Sequence, residues 1–211
     1  MVGIVYATLR EAQPFLSRTS AQAMPRHPLA LFEITAERGP SSIVAISGMG
    51  KVAAAMAAVH LVVARRVTLL INAGLCGRLI MDDGWFVGEL LRISSAVEGD
   101  CDRFGHPEKG ITCRSDWFGQ MKAARLVTCD RPVFDPARRI RLATMGEVAD
   151  MEGAAVARVA GRYGIPWAMI KGISDLADTS GRQDIAAHID KVSGHIANAL
   201  VRELNNQASF K

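Results

Sequence analysis

Two carboxylates stand out by their surroundings. Glu152 follows Asp150-Met151 and precedes an Ala- and Val-rich stretch, and Asp175 follows Ser174 at the end of the apolar run 167–173. Residues 147–152 read as the end of a short strand, 153–163 as a helix and 167–173 as a buried strand. Gly164 stops the helix and Pro166 forbids its continuation. In a strand–helix–strand unit with parallel strands, both carboxyl ends fall on one edge, which is where open α/β sheets bind ligands. Glu152 and Asp175 can then face one small molecule from two sides. A lone acid at Glu152 is explained by helix capping, because an acid suits a helix N-terminus. Two acids at equivalent strand ends, each set against apolar sequence, point to a site.

Two glycine-rich stretches could serve the same edge. Ser47-Gly48-Met49-Gly50-Lys51 opens a helix, as phosphate loops do. It lacks P-loop spacing, and GxGxxG is absent. Asn72-Ala73-Gly74-Leu75-Cys76-Gly77 reads as a second turn, whose glycines let the backbone come close to a ligand. Alone, each is an ordinary tight turn.

The elements that must position these residues alternate along the chain. Strands are expected at 2–7, 29–36, 42–47, 67–72, 85–93 and 126–129, and helices at 51–66, 136–142 and 184–205. Residues 94–121 read as irregular structure or short strands. Helix 51–66 is apolar nearly all round and is expected to be buried. The last helix carries a stripe, Ile185, Ile189, Val192, Ile196, Leu200 and Leu204. With no linker and no repeat in 211 residues, the expectation is one α/β domain over 1–211, three layers deep around a mostly parallel or mixed sheet.

Composition excludes several function classes. An apolar content of 49% argues against disorder. The net charge of +4 is spread along the chain, and Arg138, Arg139 and Arg141 alternate with Ile140 and Leu142 as a solvated helix face does. No recognition motif accompanies the charge, so no nucleic-acid partner is expected. Cys76, Cys101, Cys113 and Cys129 form no CxxC pair and have no zinc-like His spacing, which implies a reduced, cytoplasmic protein without a metal. No signal peptide is visible, and the longest apolar run, 52–64, is too short to span a bilayer. His60 reads as a core histidine, His106 before Pro107 as a loop residue, and Met49, Met56 and Met145 as core fillers, with Met49 also able to line a pocket. Cys76 and Cys129 read as small buried residues with no His partner that would make a nucleophile.

Taken in order, Ser47–Ala55 (SGMGKVAAA), Ile71–Gly77 (INAGLCG), Asp150–Ala157 (DMEGAAVA) and Ile173–Asp178 (ISDLAD) resemble the nucleoside phosphorylase/nucleosidase superfamily. The likeness is strongest to the bacterial 5'-methylthioadenosine/S-adenosylhomocysteine nucleosidase branch and runs from Gly3 to the final helix. It implies a three-layer α/β/α sandwich around a central mixed sheet, a homodimer, a nucleoside substrate, and no metal or cofactor. The implied reaction cleaves the N-glycosidic bond of an adenosine-type, 5'-modified nucleoside, with water as the acceptor.

The resemblance also implies roles. Asp175 is the general acid that protonates the purine at N7, Glu152 holds the ribose hydroxyls, and Glu11 helps to activate water. Met151 packs on the sugar, Ser174 orients Asp175, and Pro132 and Val133 border the base. Met49, Leu75, Cys76 and Gly77 line the pocket. These residue types suit the chemistry. The sugar passes through an oxocarbenium-like state that a carboxylate stabilises, and the base leaves with a proton from an acid kept protonated by its setting. Burial beside 167–173 and the nearby Glu152 are both expected to raise the Asp175 pKa.

The chain departs from the nucleosidase pattern at several points. Leu9-Arg10-Glu11 lacks a run of acids, Leu75 replaces a small polar residue, Lys171 replaces a common Arg, and 94–129 is short. Two alternatives follow. One is a phosphorylase, including the hopanoid-biosynthesis-associated type, with Arg10 as a phosphate ligand. The other is a non-catalytic nucleoside-binding protein, against which Glu11, Glu152 and Asp175 all speak.

Overall fold

A computed structural model describes residues 1–25, 28–35, 39–82, 84–101, 104–105 and 109–207. His106 and Pro107 lie outside the described residues. The chain runs β1 (Val2–Tyr6), α1 (Leu9–Arg18), β2 (Gln22–Ala23), β3 (Ala30–Ile34), β4 (Ser42–Ile46), α2 (Lys51–Arg65), β5 (Leu69–Arg78), β6 (Leu90–Glu98), β7 (Ile111–Thr112), β8 (Lys122–Thr128), α3 (Pro136–Ala143), β9 (Val148–Asp150), α4 (Gly153–Tyr163), β10 (Trp167–Asp175) and α5 (Gly181–Asn206).

β1 pairs in parallel with β4 on one side and β5 on the other. Both of its faces are covered, so every residue of β1 is buried and the strand reads as one apolar run. Successive side chains point to opposite layers. Val5 and Leu70 join the core under α2 and α4, while Ile4, Tyr6 and Ile71 join the core under α1 and α5. This is the expected three-layer arrangement around a mixed sheet.

The far half of the sheet closes on itself. β10 is parallel to β5 and antiparallel to β6, β6 and β8 are parallel, β8 and β9 are parallel, and β9 returns antiparallel to β5. The five strands β5, β10, β6, β8 and β9 therefore form a ring, and β9 runs opposite to β10. The parallel strand–helix–strand unit expected around α4 is corrected by this pairing. Its acids still converge, because Gly77 of β5 faces Asp175 of β10 on one side and Ala149 of β9 on the other.

A second correction concerns residues 73–77, which continue β5 as a strand and make no turn. Their glycines serve close approach. A methyl group on Gly77 would lie 2.9 Å from Asp175 Oδ2, and one on Gly74 would lie 3.1 Å from Glu11 Oε1. Residues 85–89 are not strand. Trp85 is buried in a turn, with the Lys122 Nζ 4.3 Å above its ring. The 94–121 segment is more regular than expected only at its start, where β6 runs to Glu98, and the two-residue β7 that pairs on it is one of the expected short strands.

α2 is not buried all round. Val52, Met56 and Val63 are exposed at helical spacing, as is Met49 just before the helix. Met49 and Met56 are therefore not core fillers. His60 is half-buried, and its Nε2 has no hydrogen-bond partner among the described residues.

Candidate active site

Three elements deliver the three acids. α1 begins at Thr8, whose Oγ1 accepts the Glu11 N–H at 3.2 Å while Glu11 Oε2 accepts the Thr8 N–H at 3.0 Å. This reciprocal capping box fixes the Glu11 carboxylate one turn into the helix. Its other oxygen, Oε1, accepts the Leu75 N–H at 3.2 Å and so reaches the backbone of β5. Glu11 is only 8% exposed.

Glu152 stands at the N-cap position of α4, but its side chain does not cap that helix. Asp150 Oδ2 takes the Gly153 N–H at 2.8 Å, and Thr128 Oγ1 takes the Ala154 N–H at 2.8 Å. The capping explanation of Glu152 therefore falls, and its carboxylate is free to turn inward. There Oε1 accepts the Gly50 N–H at 2.8 Å. Gly50 holds a φ of 98°, a conformation that glycine adopts without strain. Burial raises the Glu152 pKa to about 7, Asp150 and Glu11 add to the rise, and Lys171 and the Gly50 N–H oppose it.

Asp175 ends β10 at 3% exposure. Ser174 Oγ lies 2.6 Å from Oδ1, and Oδ2 accepts the Ala177 N–H at 3.0 Å. Burial moves its pKa upward despite these two hydrogen bonds, with Asp184 and Asp178 contributing in the same direction. The rise by desolvation is the expected one. The acids that add to it are those of the following turn and α5, not Glu152.

One cavity of ≈ 180 Å³ joins these groups. Glu11, Glu152 and Asp175 line it together with Met49, Leu75, Cys76 and Gly77. Pro132, Val133, Met151 and Ser174 complete the set of sequence candidates on its wall. Cys76 is inert as a nucleophile, because burial raises its thiol far above neutral pH.

Arg10 is the exception. It makes a two-pronged ion pair with Asp190 of α5, with Nε and Nη2 each 2.8 Å from a carboxylate oxygen, on an outer groove between α1 and α5. One residue from an inward-facing Glu11, the helix turns it to solvent, so it is not placed to hold a phosphate in the cavity.

The structure adds residues that the sequence reading passed over. Phe134 lines the cavity beside Pro132 and Val133, and Ile185 reaches it from near the start of α5. Ile185 had been absorbed into the apolar stripe, and nothing in its spacing marks it as different. Asp150 also borders the cavity, and its Oδ2 lies 2.7 Å from Nζ of Lys171, which is 1% exposed. Burial alone would lower the Lys171 pKa, but Asp150 and Glu152 hold it above its ordinary value. The signal was available, since a lysine inside an otherwise apolar strand requires a buried anion. Among the described residues no group of His, Cys, Asp and Glu is arranged to hold a metal ion.

The family model described as the Phosphorylase superfamily matches residues 2–205. The chain belongs to that superfamily. Among curated proteins it is similar to the 5'-methylthioadenosine/S-adenosylhomocysteine nucleosidase of Shewanella denitrificans, with 28% identity over 77% of this chain and 80% of the relative. The protein of the same name from Chromohalobacter salexigens is 26% identical over 96% of this chain and 97% of its own length. Among solved structures, the futalosine hydrolase of Helicobacter pylori superposes with a TM-score of 0.90 at 22% identity, over 97% of both chains. The nucleosidase of the same organism, solved with butyl-thio-DADMe-Immucillin-A, gives the same TM-score, identity and coverage. These superpositions carry the fold.

Proposed function

We propose that this chain is a hydrolytic nucleosidase that cleaves the N-glycosidic bond of adenosine-type nucleosides modified at the 5' position. The observation that carries the reading is the meeting of Asp175, Glu152 and Glu11, all nearly buried, on one small and largely apolar cavity. The curated nucleosidase relatives, named for 5'-methylthioadenosine and S-adenosylhomocysteine, support the same reaction and substrate class.

Each acid has a distinct task. Asp175, whose pKa is raised by burial, gives its proton to N7 of the purine as the bond from C1' to N9 lengthens. The bonding electrons leave with the base. Glu152, held by the Gly50 N–H, binds the ribose hydroxyls and stabilises the positive charge that grows on the sugar. Water adds to C1', and its proton passes to Glu11. Glu11 then releases its proton to solvent and Asp175 takes one up, which restores both acids, so the balance is nucleoside plus water giving free base and free sugar. Phe134, Pro132 and Val133 supply the apolar wall for the base.

Water is favoured over phosphate by the charge of the wall. Among the described residues, four carboxylates and no Lys or Arg line the cavity. The helix N-terminus that could have taken a phosphate, at Gly50, is already bonded to Glu152. A phosphate dianion would meet repulsion from these carboxylates, with Lys171 behind them already paired to Asp150. The test is base release from a nucleoside panel with and without phosphate. Release that requires phosphate, or that yields ribose 1-phosphate, contradicts the reading. Tight binding with no release from any nucleoside would favour a non-catalytic binding protein.

We further infer a homodimer that buries the exposed Val52, Met56 and Val63 stripe, since such a patch rarely stays in water on a monomer. Light scattering should give twice the 22.7 kDa chain mass, and Met56→Glu should give the monomer. A wild-type monomer at micromolar concentration would end that inference. A cytoplasmic setting is supported by four free cysteines, and among the described residues no helix is long and apolar enough to cross a membrane.

A further inference from the structure

A charged cluster at the start of α2 has no part in the reaction above. Lys51, the first residue of α2, has a side chain only 15% exposed. Its Nζ lies 2.7 Å from Asp100 Oδ1, 3.2 Å from Glu98 Oε2 and 3.3 Å from Asp130 Oδ2. Glu98, the last residue of β6, also pairs with Arg158 of α4 at 2.7 Å. Asp100 Oδ2 accepts the Asp130 N–H at 2.6 Å. One ammonium thus gathers three acids from the ends of β6 and β8.

The cluster touches both walls of the cavity through the chain itself. The residue before Lys51 is Gly50, whose N–H holds Glu152, and Met49 before it lines the cavity. Two residues beyond Asp130 begins the wall Pro132-Val133-Phe134. A short glycine turn carries the Glu152 donor, so its position is set by what anchors its ends. On the helix side the anchors are the Gly50 carbonyl, which accepts the Ala54 N–H at 3.1 Å, and the side chain of Lys51.

We propose that Lys51 is a positioning residue, which clamps the segments at 98–100 and 130–134 to the start of α2 and thereby keeps the Gly50 N–H on the Glu152 carboxylate. The role of Glu152 in catalysis rests on the nucleosidase reading, whereas the clamp itself does not. Glu152 is faced by Asp150 from β9, Lys171 from β10, Glu11 from α1 and the Gly50 N–H from α2. Only the last depends on Lys51. It favours the ionised carboxylate, so loosening it must raise the Glu152 titration midpoint.

The experiment is a carboxyl-carbon NMR titration of Glu152, assigned by its absence in Glu152→Gln, with kcat and KM measured against pH on the same samples. Lys51→Met should move the Glu152 midpoint up by about one pH unit and carry the acid limb of kcat/KM with it. Lys51→Arg, which keeps the cation, should stay near wild type. Asp100→Asn combined with Asp130→Asn separates a clamp from a simple field effect. The field of two lost negative charges would lower the midpoint, whereas a loosened clamp raises it. This double variant also carries the test if Lys51→Met does not fold.

A lower melting temperature with the midpoint and limb unmoved would reduce Lys51 to a structural anchor and overturn the proposal. A wild-type protein that releases no base, while Lys51→Met still shifts the midpoint, would overturn the nucleosidase reading and leave the clamp standing.

Discussion

Arg10 and Glu11 are adjacent in sequence, yet they belong to two regions that treat charge in opposite ways. In the outer groove Arg10 meets Asp190 in an exposed ion pair. Each charge lowers the other's cost, the Asp190 carboxyl is held below its usual range, and nothing is left over for chemistry. In the cavity, no cation among the described residues is bonded to Asp175 or Glu152, and burial pushes both carboxyls upward, with Lys171 opposing the rise only at Glu152. A carboxylate becomes a proton donor near neutral pH by being desolvated without a partner. The site is distinguished by missing counter-charges more than by the acids themselves.

The strongest test of this contrast is Asp175→Asn. The amide keeps the shape but has no transferable proton. We expect kcat to fall by about 10²–10⁴-fold while nucleoside binding survives, both measured on one folded preparation. Turnover near the wild-type value, on a substrate whose bond cleavage limits the rate, would take the acid role away from Asp175.

Lys171 shows what happens when a buried acid does have its cation. Lys171→Met leaves the buried Asp150 without its cation, and should cost roughly 3–5 kcal/mol in denaturant unfolding. Lys171→Met together with Asp150→Asn should recover most of that loss. If the single variant is as stable as wild type, the pair is not compensating buried charge.

Glu152 should make stability depend on pH. Its pKa rises from the ordinary 4.5 to about 7 on folding, so the folded state holds the proton more tightly. Its contribution is therefore most favourable below pH 4.5, is lost as pH climbs through 7, and is constant above that. Glu152→Gln should flatten the melting-temperature profile across this window, and an unchanged profile would contradict the assigned rise. The smallest effect is expected at Arg10. Arg10→Ala should leave kcat/KM within about twofold, with or without phosphate, because an exposed ion pair is screened. A large loss would return Arg10 to the site.

The layered fold and most of the cavity wall were legible because they depend on local signals. Alternating apolar strands, glycine stops and four short motifs placed Glu152, Asp175 and the residues around them. What was hidden depends on pairing at a distance. Residues 73–77 look like a turn because they contain two glycines, but the glycines are required by carboxylates arriving from α1 and β10. β9 reads as parallel to β10 because α4 joins them, and only the closed ring of five strands reverses it. Ile185 looks like its stripe-mates, and α2 looks buried because its exposed face is as apolar as its packed one.

The most direct measurement is a reaction in phosphate-free buffer made with heavy-oxygen water, with 5'-methylthioadenosine as substrate and the products weighed by mass spectrometry. The account predicts stoichiometric adenine and a free sugar carrying one solvent oxygen at C1, at a rate that added phosphate does not raise. Adenine that appears only with phosphate, together with a sugar 1-phosphate lacking the solvent label, would contradict it.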